Sequence, residues 1–433
     1  MSAVQSAVQI HEVKLRRGDH HAFAGFHLDQ PRSGSTRRTY DLPITGWVVS
    51  SEPGTIEVEA LFRGRVLRSG KADLPRPDIA EKYPHLPHAA RSGFSLNASV
   101  LGLPPDFQIL IRGKRGGGEY APMATLEGHH TPIVASHENR LRPIIVTMQG
   151  RVGSSWFMRL MSGHPNVAVY PEYPFETRVM SYWTHMLRVL GQPSDHARST
   201  PAIDFTADPT WIGHHPFYKP QVTHQPAMQE WFGRKYPEDL ATFCKKSIDD
   251  FYLQVAHMTE KPDAICFAEK CAADDIPWLV WELYPDAREV VLVRDFRDML
   301  SSIFAFNQKR GYLSFGRERA KSDRDYLESM RNNVLGFMRA WKLRSDRAFL
   351  VRYEELVLDT RGTLEALMRY LKLDGDPEEL IARANVPVQE LTNHRTIQDA
   401  ASSIGRWRRD LEPDLQKDST EAFQEALVAF GYE

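Results

Sequence analysis

Gly150-Arg151-Val152-Gly153-Ser154-Ser155 combines the residue types that hold a phosphate group at a tight turn. Gly150 and Gly153 permit the backbone angles of a sharp bend. Ser154 and Ser155 stand where a helix would begin, so their hydroxyls and unpaired amides would face an anion that the helix dipole also favours. Arg151 adds a full positive charge, and Trp156 follows at once. The spacing is not that of the nucleotide-triphosphate loop GxxxxGK[ST], because no Lys-Ser or Lys-Thr pair follows Gly153. The turn is shaped for a single phosphate. An ordinary strand–helix turn of small residues is the alternative at this point.

A second group favours the anion. Arg294 closes the apolar run Ala287-Arg288-Glu289-Val290-Val291-Leu292-Val293, and Ser302 follows eight positions later, two helical turns on. Both side chains would converge on a second anion beside the first. Two anion sites at the carboxyl ends of neighbouring strands suit a ligand with two separated phosphates.

The elements that must position these groups are legible. Pro143-Ile144-Ile145-Val146-Thr147 reads as a buried parallel strand, as does the run before Arg294. From about residue 136 strand and helix patterns alternate, which predicts an α/β architecture: a parallel sheet flanked by helices. Residues 172–261 read as an irregular insertion rich in Pro, His, Trp and Tyr, of the kind that covers an active site. The last third reads as helical at 326–344, 362–371 and 419–429.

Before residue 136 the pattern changes. Short strand-like runs at 45–49, 56–62 and 107–112 are separated by Gly and Pro clusters, which predicts a small β-sandwich. Residues 76–80 read as a loop and 92–96 as a returning strand. The expected division is therefore a β-sandwich-like accessory domain at 1–135 and a catalytic domain at 136–433, joined by a linker at 131–142.

The chain has 433 residues, 42% hydrophobic and 25% charged, with a net charge of −2. That balance is globular, and it excludes a global basic field that would draw the protein to nucleic acid or an anionic membrane. Basic residues must act locally. Cys244, Cys266 and Cys271 fit no CxxC metal pattern and read as free thiols of a reducing compartment. No apolar run approaches the roughly 18 residues of a membrane span, and the N-terminus lacks a signal-peptide core. A cytoplasmic protein is expected.

With these residues in place, the chain resembles the sulfotransferases that use 3′-phosphoadenylyl sulfate (PAPS), in particular the branch of bacterial carbohydrate and tyrosylprotein sulfotransferases. Gly150 to Trp156 is similar to that family's 5′-phosphosulfate loop, continuing into Met161-Ser162-Gly163-His164-Pro165-Asn166-Val167. Arg294 to Ser302 is similar to its 3′-phosphate block. Val351-Arg352-Tyr353-Glu354-Glu355-Leu356 resembles its RYE-L segment, and Ser403-Ile404-Gly405-Arg406-Trp407-Arg408 its nucleotide-closing loop. The order holds across about 140–433. Val152 and Phe296 depart from the common Ser and Pro, and Glu269-Lys270-Cys271-Ala272 lacks the usual Thr-Pro after Glu-Lys.

The resemblance implies the P-loop-like sulfotransferase fold and a metal-free transfer of a sulfuryl group from PAPS to a hydroxyl, on a carbohydrate or glycoconjugate, leaving 3′,5′-ADP. It implies Gly150, Arg151, Val152, Gly153, Ser154, Ser155, Trp156, Arg294, Ser302, Tyr353, Ser403, Gly405 and Arg406 as donor-binding residues. An alcohol needs a base nearby. Glu172 is expected in that role, at the spacing of the tyrosylprotein enzymes, with Glu176 the close rival and His214 and His215 further alternatives. One of the two glutamates would otherwise pair with Arg178. His164 would cap a helix end. Lys270 would touch the bridging oxygen or the acceptor, with Glu269 paired to a base elsewhere, and Arg406 with Trp407 would close over the nucleotide. A nucleotide-dependent kinase of related fold and a non-catalytic carbohydrate-binding or assembly protein are the rival functions. Preference for 3′,5′-ADP over ADP separates them.

Overall fold

The computed structural model describes residues 6–16, 23–116, 118–192, 225–273, 276–386, 396 and 399–433. Two compact units make up the chain. The first comprises Met1–His137, Trp183–Lys246 and Trp278–Leu283; the second comprises Glu138–Tyr182, Ser247–Pro277 and Tyr284–Glu433. The division is interleaved rather than the single cut expected at 135/136.

The first unit is built on antiparallel sheets. Strands β1 (Val8–Leu15), β2 (Gly25–Gln30), β3 (Thr36–Arg37), β4 (Asp41–Val49), β5 (Ile56–Phe62), β6 (Arg65–Ala72), β7 (Gly93–Ser99), β8 (Asp106–Arg115) and β9 (Ala121–His130) form two sheets. One has the order β3-β1-β9-β8-β5-β6 and the other β2-β4-β7. Phe107, Ile109 and Ile111 of β8 are buried while Asp106 and Gln108 are exposed, the period-two alternation of a strand with one face on the core. The loop expected at 76–80 is a short helix, Pro77–Lys82, with proline at its first position. Proline there presets the helical φ and forgoes an N–H that has no partner in the first turn, so it starts a helix.

The second unit carries a parallel sheet of β10 (Arg142–Met148), β11 (Val167–Ala168), β12 (Cys266–Ala272), β13 (Arg288–Val293) and β14 (Ala348–Arg352). Its order is β11-β12-β10-β13-β14, with every neighbouring pair parallel. Ile144, Val146, Val290 and Leu292 join Phe157 and Leu160 of the helix Ser154–Ser162 in one core, together with Phe296, Phe337, Phe423 and Phe430 from later helices. This is the parallel sheet flanked by helices that the alternating strand and helix pattern predicted.

Helices cover much of the stretch expected to be irregular. Val179–Leu190 and Tyr236–Met258 lie within 172–261. The second carries Ala241, Cys244, Ile248, Tyr252 and Val255, all buried, at spacings of three or four residues. Its abundant aromatic and charged residues obscured that stripe. The helices expected in the last third are present as Asp323–Lys342, Thr360–Leu371 and Pro413–Ala429.

Candidate active site

β10 ends at Met148, and the chain turns through Gly150–Gly153 into the helix Ser154–Ser162. Gly153 is the residue before the first turn, with φ 83°. A Cβ there would lie 2.5 Å from the Tyr353 ring, so both the left-handed backbone and the ring demand glycine. Arg151 also has a left-handed φ, 67°. A non-glycine residue in that region is strained, and such strain collects where a loop must present its side chain and amides in one direction.

No side chain caps this helix. By contrast, Asp295 caps the helix Phe296–Arg310 by accepting the Arg297 N–H at 2.9 Å. The uncapped first turn points its amides into the cleft, the arrangement that attracts an anion.

β13 lies beside β10, with Leu292 opposite Met148, so Arg294 emerges next to the loop. Its Nη1 donates to the main-chain oxygen of Arg151 at 3.3 Å and its Nη2 to that of Ser403 at 2.7 Å. Its guanidinium lies 4.6 Å from the centre of the Tyr353 ring. Its Nε is buried and has no hydrogen-bond partner among the described residues. Arg151 in turn donates from Nε to Ser302 Oγ at 3.2 Å and lies 4.6 Å from the Phe306 ring centre.

Burial, together with the like charges of Arg294 and Arg406, pushes Arg151 down to about 10. Three guanidinium groups in mutual repulsion around a cleft, one with an unspent donor, fit a phosphate-bearing ligand.

The loop Ser403–Trp407 is fastened by a buried carboxylate that the sequence reading passed over. Asp298 accepts the N–H of Gly405 at 2.7 Å and of Trp407 at 3.0 Å. Ser403 Oγ donates to Ala400 O at 2.6 Å, which leaves the Tyr353 hydroxyl to donate to Ser403 Oγ at 3.1 Å. Arg406 reaches the cleft but is held by Asp410 at 2.6 Å and Thr396 at 2.9 Å. Trp407 does not close over the cleft. Its ring packs 4.3 Å from the Arg297 guanidinium, in the core, because the short helix Trp407–Asp410 turns it inward.

Lys270 comes from β12, on the other side of β10. Alternation along the strand sends Glu269 and Lys270 to opposite faces. Glu269 does not face a catalytic base: it accepts the N–H groups of Met180 at 2.8 Å and Ser181 at 2.9 Å, with the Tyr252 hydroxyl as a third donor. Lys270 donates to Pro174 O at 2.6 Å, and its Nζ lies 3.7 Å from Glu176 Oε2. Burial pushes Lys270 down to about 8, against the opposing pull of Glu176.

The two glutamates are separated by the turn between them. Glu172 is exposed, near the Tyr170 hydroxyl at 3.5 Å, and does not line the cleft. Glu176 does line it, paired with Arg178 as well as Lys270. Phe175 and Arg178 both take positive φ, and this backbone path turns the later carboxylate, rather than that of the expected Glu172, inward. His164 is buried as a turn residue, accepting the Asn166 N–H at 3.0 Å, with Nε2 2.9 Å from Asp374 O. His214 and His215 lie outside the described residues.

One cavity of ≈ 1040 Å³ collects these groups. Gly150, Arg151, Gly153, Ser154, Ser155, Trp156, Glu176, Lys270, Arg294, Ser302, Tyr353, Ser403 and Arg406 all line it. Val152 does not, since its side chain belongs to the core, and Gly405 contributes only to the loop behind. Tyr173, Phe306 and Phe315 line it too and were not foreseen; Tyr173 is hydrogen-bonded to the Ser155 hydroxyl. The volume accommodates a nucleotide with room for an acceptor.

A model of the sulfotransferase family matches residues 143–377, more than half of the chain. Among solved structures, the chain is similar to the sulfotransferase domain of the olefin synthase of Synechococcus PCC 7002, at 22% identity over 69% of this chain and 97% of that one, with a TM-score of 0.36. It is similar to the sulfotransferase domain of the curacin biosynthetic pathway at 16% identity, over 68% and 99% of the two chains, TM-score 0.38. A mouse sulfotransferase complexed with PAP matches at 11% identity, over 68% and 86%, TM-score 0.37. No curated protein matches the chain in sequence.

Proposed function

The chain belongs to the sulfotransferase family, and we propose that it moves a sulfuryl group from PAPS to a hydroxyl of a carbohydrate or glycoconjugate. The observation that carries this reading is the junction of Arg294 with the Arg151 loop in one cleft. In it, the uncapped helix Ser154–Ser162 and Arg151 hold the 5′-phosphosulfate end. Arg294, through its unspent Nε, holds the phosphate on the ribose, and Ser302 braces the two by accepting from Arg151.

The acceptor oxygen attacks sulfur in line with the bond to the 5′-phosphate. Its proton passes to the Glu176 carboxylate, and the sulfur–oxygen bond breaks with its electron pair going to the bridging oxygen of 3′,5′-ADP. Lys270 and Arg151 stabilise that leaving phosphate, each charge-assisted hydrogen bond contributing about 1.5–3 kcal/mol. Only contacts that tighten in the transition state speed the reaction. Glu176 is the base because it alone of the two candidate glutamates lines the cavity.

Incubation with radiolabelled PAPS and panels of glycans and glycolipids tests the reading. Label transfer with matching release of 3′,5′-ADP is expected. Saturable PAPS binding with no transfer to any hydroxyl would point instead to a non-catalytic nucleotide site.

A further inference from the structure

The segment that follows the helix Phe296–Arg310 exposes three large apolar side chains within four residues. Tyr312, Leu313 and Phe315 are 57%, 50% and 44% exposed. Lys309, Arg310, Arg319 and Lys321 flank them in sequence, all exposed; Arg310 lies 5.5 Å from the Phe306 ring centre, and Arg319 lies 3.7 Å from Glu318, the one acidic residue between 309 and 321. Arg317 is turned inward, onto Asp323 and to 3.9 Å from the Phe304 ring centre. In a chain of net charge −2, this concentration of cations is local.

The segment is held in shape. Gly311 and Gly316 take φ 75° and 88° at its two ends, and the Tyr326 hydroxyl donates to Phe315 O at 3.1 Å. Its apolar tip therefore stays outward, although folding it onto a neighbouring surface would remove that area from water. Phe315 connects the tip to the cleft. Its ring meets Phe306 edge-on at 5.6 Å and covers Gly150, where a Cβ would stand 2.8 Å away.

An apolar tip flanked by cations matches the interfacial region of an anionic bilayer. Tyr and Leu enter the acyl boundary while Lys and Arg meet the headgroups. We propose that residues 309–321 dock on an anionic lipid surface and that the acceptor hydroxyl belongs to an amphiphile embedded there. The acceptor part rests on the sulfuryl-transfer reading above. The docking part stands without it. A freely soluble acceptor would need neither the apolar tip nor its cationic flanks at the mouth of the cleft.

The test is flotation of the full chain with vesicles of phosphatidylcholine alone, and of phosphatidylcholine mixed with phosphatidylglycerol. The wild type is expected to float with the anionic vesicles only, and less so as salt rises. Arg319→Glu/Lys321→Glu and Tyr312→Ser/Leu313→Ser are each expected to reduce binding by about tenfold or more. Binding of 3′,5′-ADP by the same preparations shows that the variants are folded, and it tests the donor reading separately. Failure of the wild type to bind anionic vesicles overturns the proposal. So does vesicle binding that neither double variant weakens, or retention by an acidic protein in place of the vesicles. If vesicles bind and the double variants release them, but only water-soluble sugars accept sulfate, docking stands and the amphiphilic acceptor falls.

Discussion

Arg294 Nη1 donates to the main-chain oxygen of Arg151 at 3.3 Å, so the guanidinium that ends β13 is fixed to the loop that ends β10. The second nitrogen, Nη2, ties the same side chain to Ser403 at 2.7 Å. One arginine thus spans three separate stretches of chain. Its Nε is buried and has no partner among the described residues, and a phosphate oxygen would complete it. The Arg151 loop and the Arg294 side chain are in this way held together.

Gly153 is the first place where that pairing can be broken without touching a charge. Gly153→Ala places a methyl group 2.5 Å from the Tyr353 ring at φ 83°. The strain is expected to cost about 1–3 kcal/mol and to weaken 3′,5′-ADP binding by displacing Tyr353 from Arg294. Denaturant unfolding and calorimetry measure both. Unchanged stability and unchanged affinity together would mean that the ring does not clamp the loop.

Glu176→Gln is expected to lower kcat by about 10²–10⁴-fold while leaving 3′,5′-ADP affinity nearly unchanged. Glu172→Gln is expected to turn over almost as the wild type does, because its carboxylate is exposed and outside the cavity. The reverse ranking in steady-state kinetics would move the base to Glu172.

Lys270 gives a pH signature. Burial pushes its ammonium down to about 8, so the unliganded enzyme loses this charge as pH rises through that value. If the charge holds the leaving phosphate, kcat/KM for the donor falls on the alkaline side of about 8. Lys270→Arg, which stays charged, is expected to flatten that limb. A limb that persists unchanged in the arginine variant assigns it to another group.

In the first unit, burial pushes Glu282 up to about 8, while the Ile133 N–H donates to it at 3.0 Å. Its folded value lies above the ordinary 4.5, so between 4.5 and about 8 the folded state keeps a proton that the unfolded state has released. Its contribution to stability is therefore present below 4.5 and is lost as pH rises through about 8. Glu282→Gln, which keeps an acceptor for Ile133, is expected to gain stability relative to the wild type at about pH 9 but not at about pH 5. Unfolding midpoints at the two pH values decide it, and equal offsets would rule out titration of Glu282.

The Gly150–Ser155 turn and Arg294 were legible as neighbours because their signals are local. A glycine turn after an apolar strand, and an arginine closing the next, announce themselves within a few residues. The choice between Glu172 and Glu176 was not legible. It depends on positive φ at Phe175 and Arg178, which no side-chain preference signals. Asp298 was hidden for a different reason: its partners, Gly405 and Trp407, lie more than a hundred residues away. Trp407 invited a stacking role that packing against Arg297 forecloses. The buried stripe of Tyr236–Met258 was masked by the aromatic and charged residues between its positions, and the proline that opens Pro77–Lys82 is a helix-start signal inside a stretch expected to be a loop.

Calorimetric titration with 3′,5′-ADP and with ADP, for the wild type and Arg294→Ala, addresses the paired anion sites most directly. The wild type is expected to bind 3′,5′-ADP about 10–100-fold more tightly than ADP, the equivalent of one charge-assisted contact, and the variant to lose that preference while still binding both nucleotides. Equal affinity of the wild type for the two nucleotides would contradict the account, because nothing in the cleft would then be reading the phosphate on the ribose.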